Sequence, residues 1–254
     1  MGIYVKKIAI VTGASSGMGK WFAAFSKAFF TDIDEIWLIA RNMRRLARVS
    51  TQVNCNSVLL ALDLTISEDF DSFAGMLREE HPSISLLVNC AGMGVIGRFD
   101  EQSYKDDVNM ISLNCMALTN VTRLCLPYMN KNSHIINLAS AAAFVAQPEF
   151  AVYAASKSYV LSFSEALGEE LRHQKIYVTA VCPGCVKTPF FTTAEKYTRV
   201  KPYKKLFMAD EKAVVLLALW DAKKNKPYSI YGPAMKLLRI ATKVLPARLL
   251  MRFM

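Results

Sequence analysis

The run VYAASKSYV, residues 152–160, sets Tyr153 and Lys157 four positions apart in a stretch otherwise made mostly of small residues. In a helix, positions i and i+4 share a face, so the phenol and the ammonium would converge on one spot. A free phenol titrates near ~10, too weak a base at neutral pH, and a neighbouring ammonium favours the phenolate and lowers that value. Such a pair makes a usable proton donor and acceptor. Thirteen residues earlier, Ser140 follows an apolar run in INLASAAAF, where its hydroxyl can hold a carbonyl oxygen. A Tyr and a Lys at this spacing are also commonplace on solvated helices, so the pair takes its meaning from its surroundings.

A second constellation lies near the start. IVTGASSGMGKWFAAF runs from an apolar strand through Gly13, Gly17 and Gly19 into a helix, with spacing G-x-x-x-G-x-G. Glycines there let the backbone turn tightly and approach a pyrophosphate, while the free N–H groups and positive dipole of the helix N-terminus hold the anion. The next strand ends in LIARNMRR, with no acid for a ribose 2′-hydroxyl but with Arg41 at its tip and Arg44 and Arg45 behind. A guanidinium makes forked hydrogen bonds to phosphate, which favours NADP(H) over NAD(H). At least one of Arg44 and Arg45 reads as a solvated helix position.

These residues need a frame. Apolar, β-branched runs at 7–11, 35–40, 57–61, 84–89, 134–139 and 176–181 alternate with segments of helical period, and a short run at 228–232 could add an edge strand. That alternation predicts a single-domain α/β fold, a Rossmann-like doubly wound parallel sheet of about seven strands with helices on both faces. Ligands of such sheets bind at the carboxyl ends of the strands. No repeat or linker marks a second domain.

Composition limits the function classes. The chain has 254 residues, 53% hydrophobic and 20% charged, enough for a large core. From Lys196 onward there are 14 Lys and Arg against 3 Asp and Glu, a net of +11 within a chain of +10, so the first 195 residues sum to −1. The body therefore lacks a basic stripe for nucleic acid. No apolar run approaches the ~20 residues of a membrane span, and TGASSG interrupts the first apolar run too early for a signal core. The six cysteines show no disulfide framework, which implies a reducing, cytoplasmic setting. CPGC at 182–185 could be a redox couple or half a zinc site, but it has no second Cys pair and no His at ligand spacing, so no metal is expected.

Taken in order, TGASSGMG (12–19), LDL (62–64), NCAG (89–92), Asn114 in ISLNCMAL, Ser140, YAASK (153–157) and PGCVKT (183–188) resemble the short-chain dehydrogenase/reductase family of roughly 250 residues. The likeness covers residues 7 to about 190. It implies that Tyr153 is the general acid in ketone reduction and the base in alcohol oxidation, that Lys157 lowers its pKa and holds the nicotinamide ribose, that Ser140 polarises the carbonyl, and that Asn114 holds a water linking Lys157 to solvent. It also implies a cofactor site of Gly13, Ser15, Ser16, Gly17, Met18, Gly19, Arg41, Asp63, Leu64, Asn89, Ala91, Gly92, Tyr153, Lys157, Pro183, Gly184, Val186 and Thr188. CPGC then becomes a nicotinamide-end loop. The sequence departs from the family pattern at Cys90, in the alanines after Ser140, and at Lys20. Cys90 is expected to loosen a hydrogen bond under the central strands without abolishing catalysis. The resemblance further implies a homodimer or homotetramer built from helices at about 104–130 and 149–172.

Residues 188–210 should form a substrate loop and lid. Phe190, Phe191, Tyr197, Tyr203, Leu206, Phe207 and Met208 there favour an apolar substrate such as a steroid or acyl chain. The segment 233–254 reads as a basic amphipathic extension, with Lys236, Arg239, Lys243, Arg248 and Arg252 near one helical face, Leu237, Leu238, Ala241, Val244, Leu245, Leu249 and Phe253 largely elsewhere, and a break at Pro246. It could lie on an anionic membrane surface, cover the pocket or pack on another subunit; loosely, it resembles extensions in a lipid-related bacterial branch of the family. Together these features describe an NADP(H)-dependent oxidoreductase acting on a ketone or secondary alcohol. A cofactor-binding sensor without turnover and an NAD-dependent alcohol dehydrogenase remain as alternatives.

Overall fold

The computed structural model describes residues 5–199 and 208–251. Seven strands form one sheet: β1 (Lys7–Thr12), β2 (Glu35–Ala40), β3 (Asn56–Ala61), β4 (Ser83–Asn89), β5 (Met129–Leu138), β6 (Tyr177–Val181) and β7 (Tyr228–Ser229). Their spatial order is β3-β2-β1-β4-β5-β6-β7, every pair parallel. This is the expected doubly wound sheet. The chain runs outward from β1 to β3, then returns past β1 to β4 and winds the other way, so a crevice opens where β1 and β4 diverge.

The helices are α1 (Gly17–Phe29), α2 (Met43–Ser50), α3 (Ser67–Glu80), α4 (Tyr104–Ile111), α5 (Leu118–Cys125), α6 (Ala151–Glu170), α7 (Phe190–Ala194), α8 (Glu211–Lys223), α9 (Pro233–Val244) and α10 (Ala247–Met251). Alternate strand residues divide between two cores. Ala9, Val11, Ile36 and Leu38 pack with Phe22, Leu46, Val215 and Leu219 from α1, α2 and α8. Ile8, Ile10, Trp37 and Ile39 pack with Phe73, Val121 and Leu167 from α3, α5 and α6. Each fully buried large apolar side chain contributes roughly 1.5–3 kcal/mol, so the central strands form a stiff frame beneath the crevice.

Two local features depart from the periodic reading. β5 begins at Met129 rather than 134, because Met129 pairs with Ile84 across a register irregularity before the regular ladder resumes at His134. Asn132 takes φ 71° in that irregular stretch. Between α4 and α5 the chain does not remain α-helical: Ser112–Ala117 winds as a π-helix with Asn114 inside it. Such wide turns are uncommon and recur at functional sites, and apolar periodicity does not reveal them.

Candidate active site

A cleft of about 2000 Å³ lies over the carboxyl ends of the strands. That exceeds the roughly 300–1,000 Å³ of a single small-ligand site and leaves room for a dinucleotide beside a second molecule. Its floor is the turn from β1 to α1. Gly13 and Gly17 have φ of 65° and 53°, and a Cβ on Gly13 would come within 2.8 Å of the Ala91 amide nitrogen. A side chain at Gly13 would therefore push β1 and β4 apart. Ser16 caps α1 without a side-chain hydrogen bond, and the first turn contains no acid, which leaves amides and the positive helix end to an anion. Lys20, a departure from the family pattern, turns away to pair with Glu211 at 3.1 Å.

Of the cofactor residues expected from sequence, Gly13, Ser15, Ser16, Gly17, Met18, Gly19, Arg41, Asp63, Leu64, Ala91, Gly92, Tyr153, Lys157, Pro183, Gly184, Val186 and Thr188 line this cleft. Asn89 does not. Its side chain is buried below the floor and donates to Thr122 and Asn137, each at 2.9 Å, so it braces β4 against α5 and β5. Thr12 provides the neighbouring tie, its Oγ1 accepting from the Cys90 and Ala91 amides at 3.0 and 3.1 Å. Because these bonds come from the Cys90 and Ala91 backbone amides, the Cys90 thiol need carry none of them; burial pushes that thiol up to about 12. In the CPGC loop, Cys182 is buried and Cys185 lines the cleft.

At the adenine end, Arg41 is 78% exposed and its guanidinium stands 3.7 Å from the Asp63 carboxylate. An exposed pair of this kind contributes at most about 1 kcal/mol, so the arginine is readily redirected to a phosphate. Arg45 joins it in the cleft wall, whereas Arg44 does not. Asn42 caps α2 by accepting from the Arg45 amide at 3.0 Å. The glycine turn, an open helix end and a cationic second strand suit a dinucleotide.

The reacting groups come from three elements. Ser140 follows β5 and caps a 3₁₀ turn over Ala141–Ala143, accepting from the Ala142 amide at 3.1 Å. None of these alanines has positive φ, which explains why glycine is not needed after the serine. Tyr153 and Lys157 project from one face of α6 into the cleft, whose wall Ser140 also lines. Lys157 Nζ donates to the Leu138 carbonyl at 2.8 Å and lies 5.8 Å from the Tyr153 ring centre. Asn114 is buried: its Oδ1 accepts from the Met93 amide at 2.9 Å, and its Nδ2 donates to the Met93 carbonyl and Ser156 Oγ at 2.8 and 2.9 Å. These bonds hold the π-helical turn against the loop after β4 and against α6.

The electrostatics differ from the sequence expectation. Burial pushes the Tyr153 phenol up to about 12, against the smaller downward pull of Ser140, and drives Lys157 down to about 8. Desolvation disfavours both charged forms, and it outweighs the attraction expected between an ammonium and a phenolate. Tyr153 is thus a neutral phenol at physiological pH, suited to donating a proton.

At the substrate end, Phe150 stacks on Tyr153 with ring centres 4.1 Å apart, and Phe190 approaches the same ring at 5.5 Å. Gly94 makes room for them, since a Cβ there would lie 2.5 Å from Phe190 and 2.8 Å from Tyr153. Phe190, Phe191 and Met208 line the cleft as expected. Tyr197 does not: its hydroxyl donates to Asp106 at 2.9 Å, beside Lys196 at 2.8 Å, and these contacts tie the chain after α7 to α4. The remaining lid residues named from sequence, Tyr203, Leu206 and Phe207, lie outside the described residues. Sequence reasoning missed Phe150, whose i,i+3 spacing to Tyr153 was a usable signal. It also missed Met235 and Leu238 as individual parts of the cleft wall; they reach it from α9, and no local pattern gives that contact.

The depressed lysine has a consequence for stability. Between about pH 8 and 10.5 the unfolded chain holds a proton on residue 157 that the folded chain has released, so this group adds stability as pH rises through that window. Below about pH 8 the folded chain bears the cost of a buried charge. Thermal melts of wild type and Lys157→Met should therefore diverge between pH 7.5 and 9.5, wild type gaining relative to the variant. Parallel pH dependence would show that Lys157 is not depressed.

Comparison with known proteins agrees with this fold. Residues 7–198 match the family model described as short chain dehydrogenase. An uncharacterized oxidoreductase of Staphylococcus epidermidis is 32% identical over 186 residues, covering 72% of this chain and 80% of its own. A short-chain dehydrogenase from Sphingobium yanoikuyae, solved with NADPH, superposes with a TM-score of 0.78 at 26% identity, covering 98% of this chain and 96% of that one. A short chain dehydrogenase/reductase from Burkholderia phymatum, solved with NAD, also gives 0.78, at 22% identity over 96% and 95% of the two chains. With the glycine turn, the Ser140, Tyr153 and Lys157 cluster and the matched sheet in place, the chain belongs to the short-chain dehydrogenase/reductase family of nicotinamide-dependent oxidoreductases.

Proposed function

We propose that the protein is an NADP(H)-dependent carbonyl reductase acting on a ketone, or in reverse on a secondary alcohol, carried by a bulky apolar molecule. The observation that carries this reading is that the buried Tyr153 phenol, Ser140 and Lys157 line the apolar end of one cleft whose other end has a glycine turn and an open helix N-terminus. When bound, the nicotinamide supplies a hydride to the carbonyl carbon. Ser140 orients the carbonyl oxygen, and Tyr153 gives that oxygen its proton as negative charge develops there. Lys157 would hold the cofactor ribose and would be a route for restoring the tyrosine proton. Phe150, Phe190, Phe191 and Leu238 favour an apolar body on the substrate.

The preference for NADP(H) rests on the exposed Arg41, with Arg45 beside it and no acid at the tip of β2. A charged hydrogen bond contributes about 1.5–3 kcal/mol, more than the weak Arg41–Asp63 contact it replaces. Self-association through α4 to α6 is part of the same proposal, supported by Tyr104, Val108, Ile111, Met116 and Tyr159, which leave an exposed apolar face there.

Two substitutions test the reading. Tyr153→Phe should bind NADPH as wild type does while turnover falls at least about a hundredfold, measured as NADPH oxidation with cyclic ketones, 3-ketoacyl thioesters and small carbonyls. Retained turnover would remove Tyr153 as the acid; tight NADPH binding by wild type with no turnover across the panel would favour a sensor. Arg41→Ala should weaken NADPH binding roughly tenfold to a hundredfold and leave NADH within about twofold. Equal losses for both cofactors would show that Arg41 does not read the 2′-phosphate.

A further inference from the structure

The C-terminal helix has two unlike long faces. Toward the body, Met235 and Leu238 complete the cleft wall, and the Arg239 guanidinium lies 3.3 Å above the Tyr228 ring and 3.9 Å from Glu165. Arg239 is thus an anchor, not a member of the exposed basic face that spacing alone suggested. Away from the body, Leu237, Ile240 and Val244 are 67%, 61% and 77% exposed. At 3.6 residues per turn these three form one stripe, and Lys236 and Lys243, seven apart, run along its edge. Leu245, just before Pro246, and Arg248 and Leu249 beyond it are exposed and repeat the mixture. The segment 233–254 contains no acid; its residues Arg252 and Phe253 lie outside the described residues.

We infer that α9 and α10 dock on an anionic lipid bilayer, with Leu237, Ile240 and Val244 entering the acyl boundary and Lys236, Lys243 and Arg248 at the headgroups. Among the described residues no helix is long and apolar enough to cross a membrane, so the contact is peripheral. Charge selects this occupant over a second copy of the chain. A two-fold contact would bring the same patch onto itself, setting its cations against like cations with no acid in the segment to pair them. An apolar stripe edged by lysines suits an anionic interface. Docked this way, the cleft wall at Met235 and Leu238 lies about one helix diameter, ~10 Å, from lipid. An apolar molecule would then reach Tyr153 without crossing much water.

The test is co-sedimentation of the full chain with vesicles of phosphatidylglycerol and phosphatidylcholine in equal parts, and with phosphatidylcholine alone. Neither substrate nor cofactor is present, so the result stands apart from that for hydride transfer. Wild type should bind the anionic vesicles preferentially and lose affinity as salt rises. The pair Lys236→Gln and Lys243→Gln should weaken binding roughly twenty-five-fold, about fivefold for each lysine. The triple change of Leu237, Ile240 and Val244 to Ser should abolish binding without lowering the melting temperature, since these side chains are already exposed. Failure of wild type to sediment, equal binding to neutral vesicles, or variants that bind like wild type would each overturn the inference. So would a dimer that the serine variant dissociates while neither form binds vesicles.

Discussion

The site depends on how β1 and β4 part. Thr12, the last residue of β1, accepts hydrogen bonds from the Cys90 and Ala91 amides just beyond β4, while its hydroxyl lies 3.4 Å from the Val88 carbonyl. One small side chain thus satisfies backbone groups that the sheet leaves unpaired where the strands separate. Directly above it, Gly13 lets the two backbones approach and turns the chain into α1. Without that close approach, the amides at the start of α1 and the loop after β4 would not face one cleft. Asn89, Asn137 and Ser164 continue the bracing below, linking β4, β5 and α6.

That frame brings Ser140 from the end of β5 to the phenol on α6 and buries Lys157 beside them. Burial is costly for the charged lysine and raises the tyrosine. The stacked Phe150 and the nearby Phe190 strengthen the effect by keeping the phenol in an apolar setting. In the proposed role of proton donor, Tyr153 would meet developing charge with little water to screen it, which is where a fixed hydrogen bond has most influence.

Among the described residues, the outer parts of the site are held by a few polar contacts. The chain after α7 is tied by Lys196 and Tyr197 to Asp106, and Ala209 bonds to the chain at Cys185 and Lys187. The last wall comes from α9, which is fixed to the body by Arg239 on Tyr228 rather than by an extensive apolar face. A pocket built this way keeps its reacting groups on strands and a long helix and assigns substrate shape to peripheral segments. Specificity can then vary without disturbing the proton donor.

Much of this was legible in the sequence. The sheet follows from apolar, β-branched runs separated by helical periods; the anion turn follows from Gly13, Gly17 and Gly19; and Tyr153 and Lys157 share a face because four residues nearly complete a helical turn. These are local relations, set by backbone geometry over a few residues. What the tertiary structure decided was everything that depends on burial or on distant chain. It placed Asn89 under the floor rather than in the cleft, wound Asn114 into a π-helical turn, turned Tyr197 away from the cleft to Asp106 and Arg239 onto Tyr228, and made Met235 and Leu238 part of the wall. It also reversed the expected shift of the Tyr153 phenol. Spacing states which groups are near, but the loss of water around them, which only packing determines, sets the charge they carry.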